Sequence, residues 1–131
     1  MNSLYAKDCI PVDELRKMQL EKLQKLIPYE YDRVPLFRRR CDEKGVKPRD
    51  IVTLKDIAKL PFMMKSDLRD EYPLGLTASP MKDIVRFHCS SGTTGKPICI
   101  PNTKGDIEVW SDAVARCLAM YGITEDDVLQ V

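Results

Sequence analysis

The residue types best suited to chemistry are concentrated in one short loop that reads S-S-G-T-T-G-K-P. Its candidate ligand-binding residues are Ser90, Ser91, Gly92, Thr93, Thr94, Gly95 and Lys96. Glycine lets backbone N–H groups approach an anion closely, hydroxyls are compact donors to phosphate oxygens, and lysine adds a mobile positive charge. The loop therefore predicts a polyphosphate site. A polar hairpin turn without a ligand is the alternative, because serine, threonine and glycine are ordinary turn residues.

The spacing of the loop disfavours a Walker A motif. That motif requires four residues between its glycines and a serine or threonine directly after its lysine. Here only two threonines separate Gly92 from Gly95, and Pro97 follows Lys96. Proline after the lysine also favours an extended exit rather than a helix that begins there. The pattern thus argues against a P-loop kinase or GTPase.

Two predicted strands flank the loop and would hold its ends. Residues 84–89 (IVRFHC) and 98–100 (ICI) are rich in β-branched and apolar side chains, so a hairpin is expected. A capping box, Thr103-x-x-Asp106, then predicts a helix start. The apolar stripe of this helix consists of Ile107, Trp110, Val114, Cys117, Leu118 and Tyr121. Gly122 stands where a helix terminator belongs, and residues 128–131 are predicted to begin another strand.

The preceding part of the chain is predicted to be helical. An apolar stripe indicates one long helix over residues 12–33, bounded by prolines on either side. The stripe is most simply interpreted as core packing. A short helix over residues 36–44 should stop at Gly45. A capping box at Thr53 predicts a helix to about residue 59, and Ser66 is the predicted cap of a further helix through residue 71. Residues 61–80 form a winding connection in this interpretation.

These elements predict an α/β chain in two parts. Residues 1–80 form a helical N-terminal segment, and residues 81–131 form an incomplete α/β subdomain that carries the loop. The apolar stripe on the last helix needs a larger sheet to cover it than two short strands provide. We therefore expect the 131 residues to be a fragment of a longer protein, or a protein whose partner surface is supplied elsewhere. In isolation they are expected to self-associate through this exposed apolar surface as a homo-oligomer.

Composition narrows the classes of partner. The chain has 44% hydrophobic and 31% charged residues, which is typical of a globular protein. Its 21 basic and 20 acidic residues leave a net charge of +1, which favours neither nucleic acid nor an anionic membrane. No signal peptide or membrane-length apolar run is visible. Five cysteines without C-x-x-C spacing, and one histidine, predict neither a metal site nor a disulfide framework, but reduced thiols in a cytoplasmic protein.

Several separated blocks resemble one enzyme family. The loop of residues 90–97 is similar to the phosphate loop of the adenylate-forming superfamily, and its Ser-Ser-Gly-Thr-Thr-Gly-Lys-Pro form resembles that of phenylacetate-CoA ligases. Residues 31–37 (YDRVPLF) resemble an early block of that family. Residues 60–62 (LPF), 65–69 (KSDLR) and 72–76 (YPLGL) resemble its next block. The resemblance covers roughly residues 11–131, with the blocks in the family's order.

The resemblance implies an ATP-dependent aryl-acid CoA ligase in the full-length protein. A carboxylate such as phenylacetate would attack ATP to give an acyl-adenylate, and coenzyme A would then take the acyl group. ATP, Mg²⁺ and coenzyme A are the implied cofactors, and Ser90 to Lys96 would cradle the β- and γ-phosphates. The resemblance assigns no catalytic residue and no metal ligand to this chain. Lys65 is expected to be a solvated lysine, and His88 a hydrogen-bond partner at the end of a strand.

The family's later motifs are missing from these 131 residues. They are the segment that contacts adenine and magnesium, the ribose-binding aspartate and the lysine of the C-terminal lid. Residues 121–125 (YGITE) match the first by letters, but they follow the loop too closely and end a predicted helix. The fragment alone is therefore expected to be inactive. The alternatives are a non-enzymatic nucleotide- or phosphate-binding module and a helical interaction module.

Overall fold

A computed structural model describes residues 9–90, 97–128 and 130. Four α-helices and one antiparallel hairpin are described, connected in part by short 3₁₀ helices. The helices are α1 (Val12–Arg33), α2 (Pro35–Glu43), α3 (Lys65–Asp70) and α4 (Lys104–Met120). The strands are β1 (Ile84–Cys89) and β2 (Cys99–Thr103), which lie between α3 and α4. The predicted order of helical segment, hairpin and helix is confirmed.

Helix α1 has the predicted bounds but not the predicted burial. It continues through Pro28, and acidic residues in its first turn suit the positive end of the helix dipole. Ile27 is buried, whereas Val12 and Leu26 remain 59% and 51% exposed. The prediction that the whole apolar stripe is core packing was therefore wrong. The residues of this helix that belong to the core cluster or pack against it, Leu23, Ile27 and Tyr31, lie in its C-terminal half.

The core lies where α1 turns into α2. Its buried cluster comprises Ile27, Val34, Phe37, Cys41, Val46 and Ile51. Helix α2 begins with Pro35 in its first turn, where a missing N–H costs nothing, and the chain reverses at Gly45 with φ +68°. The predicted stop at Gly45 is thus confirmed. Leu76 and Ala78 pack against this cluster, so the winding connection also contributes to the core.

Two predicted short helices differ from the structure, one in its type and one in its cap. The capping box at Thr53 is confirmed, because the Asp56 carboxylate accepts hydrogen bonds from the Thr53 N–H and hydroxyl, but the helix over Leu54–Lys59 is a 3₁₀ helix. Helix α3 begins at Lys65, so Ser66 is not its cap. Instead, Asp67 accepts a 2.6 Å hydrogen bond from the Met64 N–H, because a carboxylate three residues inside a helix reaches back to the unsatisfied donors.

Strand β1 pairs with β2 in an antiparallel hairpin. The register places His88 opposite Ile100 and Cys89 opposite Cys99. Strand β1 has the predicted bounds, whereas β2 begins one residue later than predicted and continues to Thr103. An irregularity between Ile84 and Arg86 marks the end of the hairpin distant from the loop.

Helix α4 begins and ends as predicted. Thr103 Oγ1 accepts from the Asp106 N–H at 3.2 Å, and Asp106 Oδ2 accepts from the Thr103 N–H at 2.7 Å, which completes the capping box. At the other end, Gly122 has φ +80° and the Ile123 N–H donates to the Leu118 carbonyl. Residues 121–125 therefore do end a helix.

The strand predicted at residues 128–131 was wrong for the residues described. Val128 and Gln130 are not in a strand, and residues 129 and 131 lie outside the described part. Among the described helices, none is both long and apolar enough to cross a membrane.

Candidate functional site

The hairpin holds both ends of the predicted phosphate loop. The Ser90 N–H donates to the Ile98 carbonyl at 2.9 Å, and the Ile98 N–H donates to Ser90 Oγ at 2.9 Å. These two hydrogen bonds hold together the residues at which the chain leaves β1 and approaches β2. Of the predicted binding residues, Ser90 is the one that the structure describes, and it is exposed at the end of β1. Its hydroxyl oxygen is engaged in closing the loop.

The other predicted binding residues lie outside the described residues. They are Ser91, Gly92, Thr93, Thr94, Gly95 and Lys96. Their assignment to phosphate binding therefore stays a prediction from the sequence. The structure contributes the strand ends from which this segment projects.

The contact between Ser90 and Ile98 determines which opposing residues of the hairpin are hydrogen-bonded pairs. In antiparallel pairs, hydrogen-bonded and non-hydrogen-bonded positions alternate. Because Ser90 and Ile98 form a hydrogen-bonded pair, Cys89 and Cys99 occupy a non-hydrogen-bonded pair, as do Phe87 and Pro101. Proline suits that position, since it has no N–H to donate. The sequence "CIP" of β2 thus fits the register that the loop closure sets.

His88 positions α4 against the hairpin. Its ring meets the Trp110 indole edge-on, with centroids 4.9 Å apart and an interplanar angle of 66°. Such edge-to-face contacts add about 0.5–1.5 kcal/mol beyond simple burial. The expected hydrogen-bond role of His88 stays a prediction beside this aromatic contact. Helical periodicity puts Trp110 on the apolar stripe of its helix but does not pair it with His88, because that pairing depends on how α4 crosses the strands.

Lys65 is exposed at the first position of α3, which is consistent with the expected solvated lysine. Among the described residues, no contact joins it to the hairpin.

A cavity of about 320 Å³ opens beside β2, between the hairpin and the helical segment. Cys99, Pro101 and Asp106 line one side, and Tyr29 and Glu30 of α1 line the other. The Tyr29 hydroxyl lies 3.2 Å from Ser79 Oγ and donates to the Ala78 carbonyl at 3.3 Å, which ties α1 to the segment that leads into β1. Desolvation by burial raises the pKa of the Glu30 carboxyl above its ordinary value.

Within the part of the chain that the structure describes, no group of three or more His, Cys, Asp or Glu side chains is arranged to hold a metal ion. The Ser90 and Ile98 N–H groups are both used in closing the loop. Donors to an anion at this end of the hairpin would therefore come from the loop itself and from the Ser90 hydroxyl.

Four curated proteins with related sequences are phenylacetate-coenzyme A ligases. The protein from Thermus thermophilus is 47% identical over 115 residues, which are 88% of this chain and 26% of the relative. The protein from Pseudomonas putida is 47% identical over 120 residues, 92% of this chain and 27% of the relative. That from Escherichia coli is 43% identical over 120 residues. This chain spans about a quarter of the length of these relatives. No protein-family model matches it.

Solved structures agree with the sequence relationship. A 2-hydroxyisobutyryl-CoA ligase, in complex with its acyl-adenylate and CoA in the thioesterification state, aligns with a TM-score of 0.81 and 31% identity. The alignment covers 90% of this chain and 26% of that one. The same ligase in the postadenylation state aligns with a TM-score of 0.79 and 27% identity. The resemblance inferred from the sequence blocks is thus confirmed, and this chain is related to the N-terminal part of the phenylacetate-CoA ligases, within the adenylate-forming fold.

Proposed function

We propose that this chain is the phosphate-holding part of an ATP-dependent CoA ligase for an aryl carboxylic acid, with phenylacetate as the model substrate. The observation that carries the proposal is the closed hairpin at Ser90 and Ile98, which presents the S-S-G-T-T-G-K-P segment at its end. The names of the relatives support the reaction class, and the acyl-adenylate and CoA bound in the solved neighbour support the two-step chemistry.

In this reaction the substrate carboxylate attacks the α-phosphorus of ATP, and pyrophosphate leaves. The CoA thiol then attacks the acyl carbon, and AMP leaves. Residues 90–96 act in the first step by holding the β- and γ-phosphates, so that the leaving pyrophosphate stays in line with the attacking oxygen. Pre-aimed N–H and hydroxyl donors stabilise the charge that develops on the leaving group.

The hairpin explains why a short polar loop can do this work. Loop donors stabilise a transition state only if they are already oriented when charge develops. Fixing both loop ends through Ser90 and Ile98 reduces the freedom that phosphate binding would otherwise have to remove. The contact between His88 and Trp110 fixes the same hairpin against α4. Magnesium enters the proposal only as the ion that accompanies ATP, and we assign it no residue of this chain.

The test is Lys96→Ala in the complete ligase. We expect the kcat/KM for ATP to fall by about 10- to 100-fold, because a charge-assisted hydrogen bond to phosphate is worth roughly 1.5–3 kcal/mol. The KM for the aryl acid should change little, since the lysine does not contact it in this proposal. Steady-state kinetics with each substrate varied in turn separates the two effects.

Lys82→Ala is the matched control. Lys82 is an exposed lysine in the 3₁₀ turn that precedes β1, outside the loop. It should leave both constants near those of the wild type. If Lys96→Ala behaves like Lys82→Ala, the phosphate role of the loop is wrong.

The 131-residue polypeptide by itself should catalyse no acid-dependent exchange of pyrophosphate into ATP. It lacks the family's later nucleotide-binding segments, so the adenylation site is incomplete in it. Exchange by the pure polypeptide at a rate above that of its Lys96→Ala variant would contradict the expectation that its adenylation site is incomplete.

A further inference from the structure

Two cysteines face each other where the hairpin opens into the loop. Cys89 is the last residue of β1 and Cys99 is the first residue of β2, and the register pairs them directly. Neither belongs to the residues that we assign to phosphate binding. Both are free thiols in the structure, Cys89 exposed and Cys99 partly exposed.

The backbone geometry at this pair suits a covalent bridge. Cys89 and Cys99 form a non-hydrogen-bonded pair, because the next pair, Ser90 and Ile98, is hydrogen-bonded. In non-hydrogen-bonded pairs the Cα atoms are about 4.5 Å apart, and the side chains are closer than at hydrogen-bonded positions. Disulfides accept Cα separations of about 4.4–6.8 Å. A bridge therefore requires side-chain rotation and little movement of the strands.

The two thiols already interact. A hydrogen bond with Cys89, followed by desolvation, raises the pKa of the Cys99 thiol above its ordinary value. The remaining cysteines in the described part of the chain are placed differently. Cys41 is buried in the helical core and is 1% exposed. Cys9 lies just before α1, and Cys117 lies on α4.

We propose that Cys89 and Cys99 form a reversible disulfide that links the two strands of the hairpin. The oxidant is a low-molecular-weight disulfide. The more exposed Cys89 thiolate attacks it, which forms a mixed disulfide and releases one small thiolate. The Cys99 thiolate then attacks the Cys89 sulfur and releases the second. Two protein thiols lose two electrons, and the small disulfide is reduced to two thiols that take up the two protons.

The bond would lie immediately behind the closing contact of Ser90 and Ile98. It would add a covalent link between two strands that backbone hydrogen bonds already hold together.

Peptide mapping tests the bond independently of any activity. The protein is equilibrated with oxidised glutathione, alkylated and digested with trypsin. Trypsin cleaves after Arg86 and Lys104 but not between Lys96 and Pro97, so both cysteines stay in the peptide of residues 87–104. We expect this peptide without alkylation and lighter by two hydrogen atoms than its reduced form. Recovery of residues 87–104 doubly alkylated, glutathionylated or cross-linked to another peptide would overturn the proposal.

Cys89→Ser and Cys117→Ser separate the pair from general thiol reactivity. Cys89→Ser should abolish the internal bridge, whereas Cys117→Ser should leave it intact. Dithiothreitol added before alkylation should return residues 87–104 to the doubly alkylated form in the wild type and in Cys117→Ser. If the oxidised wild-type peptide stays doubly alkylated, or if dithiothreitol does not restore its alkylation, the proposal is wrong.

Discussion

The Asp67 carboxylate joins three parts of the helical segment. Arg40 donates to it through two nitrogens, at 2.5 Å to Oδ2 and 2.7 Å to Oδ1, and the Met64 N–H donates to Oδ2. Arg40 also donates to the Phe62 carbonyl, so one guanidinium ties α2 both to α3 and to the chain before it. Asp67 is 6% exposed, and a carboxylate buried with a bidentate partner fixes orientation as well as charge.

Acid titration should reveal this pair. The hydrogen bonds from Arg40 and then from Met64 hold the pKa of Asp67 below its ordinary value. A carboxyl whose pKa is lowered in the folded state stabilises that state above its unfolded pKa of about 3.9, and this stabilisation is lost as pH falls toward the folded pKa. Asp67→Asn should therefore lower Tm at pH 7 and should reduce the further fall in Tm between about pH 5 and pH 3.

Asp70→Asn is the matched control, since Asp70 lies exposed on the same helix. It should leave the pH dependence of Tm close to that of the wild type. Thermal unfolding followed by circular dichroism at several pH values measures both. Equal pH profiles for Asp67→Asn and the wild type would contradict the stabilising role of the ion pair.

At the scale of elements, one face of α1 packs in the core and most of the helix is exposed. Ile27 is 5% exposed and belongs to the core cluster, while its neighbour Leu26 is 51% exposed. Both are large aliphatic residues in the same helical turn. Their helix propensities are similar, so a comparison of substitutions at the two positions isolates the effect of burial.

Ile27→Ala should destabilise the fold by about 2–4 kcal/mol, because it removes buried methyl groups and leaves a cavity. Leu26→Ala should cost less than about 1 kcal/mol, since its side chain loses little burial. Urea unfolding of the two variants measures the difference. Similar costs for both would mean that the apolar stripe of α1 is covered more evenly than the structure indicates.

The division of the chain at about residue 80 stays a prediction at this scale. Leu76 and Ala78 pack on the helical core, and Tyr29 bonds to residues 78 and 79, so the segment before the hairpin is tied to α1. The hairpin in turn contacts α4 through His88 and Trp110.

At the scale of the whole molecule, α4 leaves an apolar face open. Ile107, Trp110, Val114 and Leu118 line a shallow concave surface beside Arg86 of β1. Trp110 is 47% exposed and Val114 is 45% exposed. Contiguous apolar surface of this kind drives association unless another part of a protein covers it. We therefore expect the 131-residue polypeptide to self-associate through α4.

Val114→Glu should shift the polypeptide toward the monomer, because association would bury an unpaired charge. Val109→Glu is the matched control: Val109 is 71% exposed and lies on the same helix, but it does not line this surface. Sizing chromatography over a range of concentrations distinguishes them. A wild-type polypeptide that elutes as a monomer at every concentration would refute association through α4.

The sequence by itself determined the local elements of this protein. Prolines, glycines and carboxylates act on their own neighbours, so the bounds of α1, the stop at Gly45 and the capping box at Thr103 could be predicted from adjacent residues. The family relationship could also be recognised, because the phosphate-loop segment and its flanking blocks keep their residues and order.

Only the tertiary structure decided which residues meet across the chain. That Ile27 is buried while Leu26 is not, that Arg40 pairs with Asp67, and that Cys89 faces Cys99 all depend on packing and register between separate segments. Helical periodicity shows that a face is apolar but not how much of it a neighbour covers. Likewise, the cysteine spacing is compatible with many pairings, and the closing contact of Ser90 with Ile98 selects one, because antiparallel hydrogen bonding fixes every residue opposite its partner.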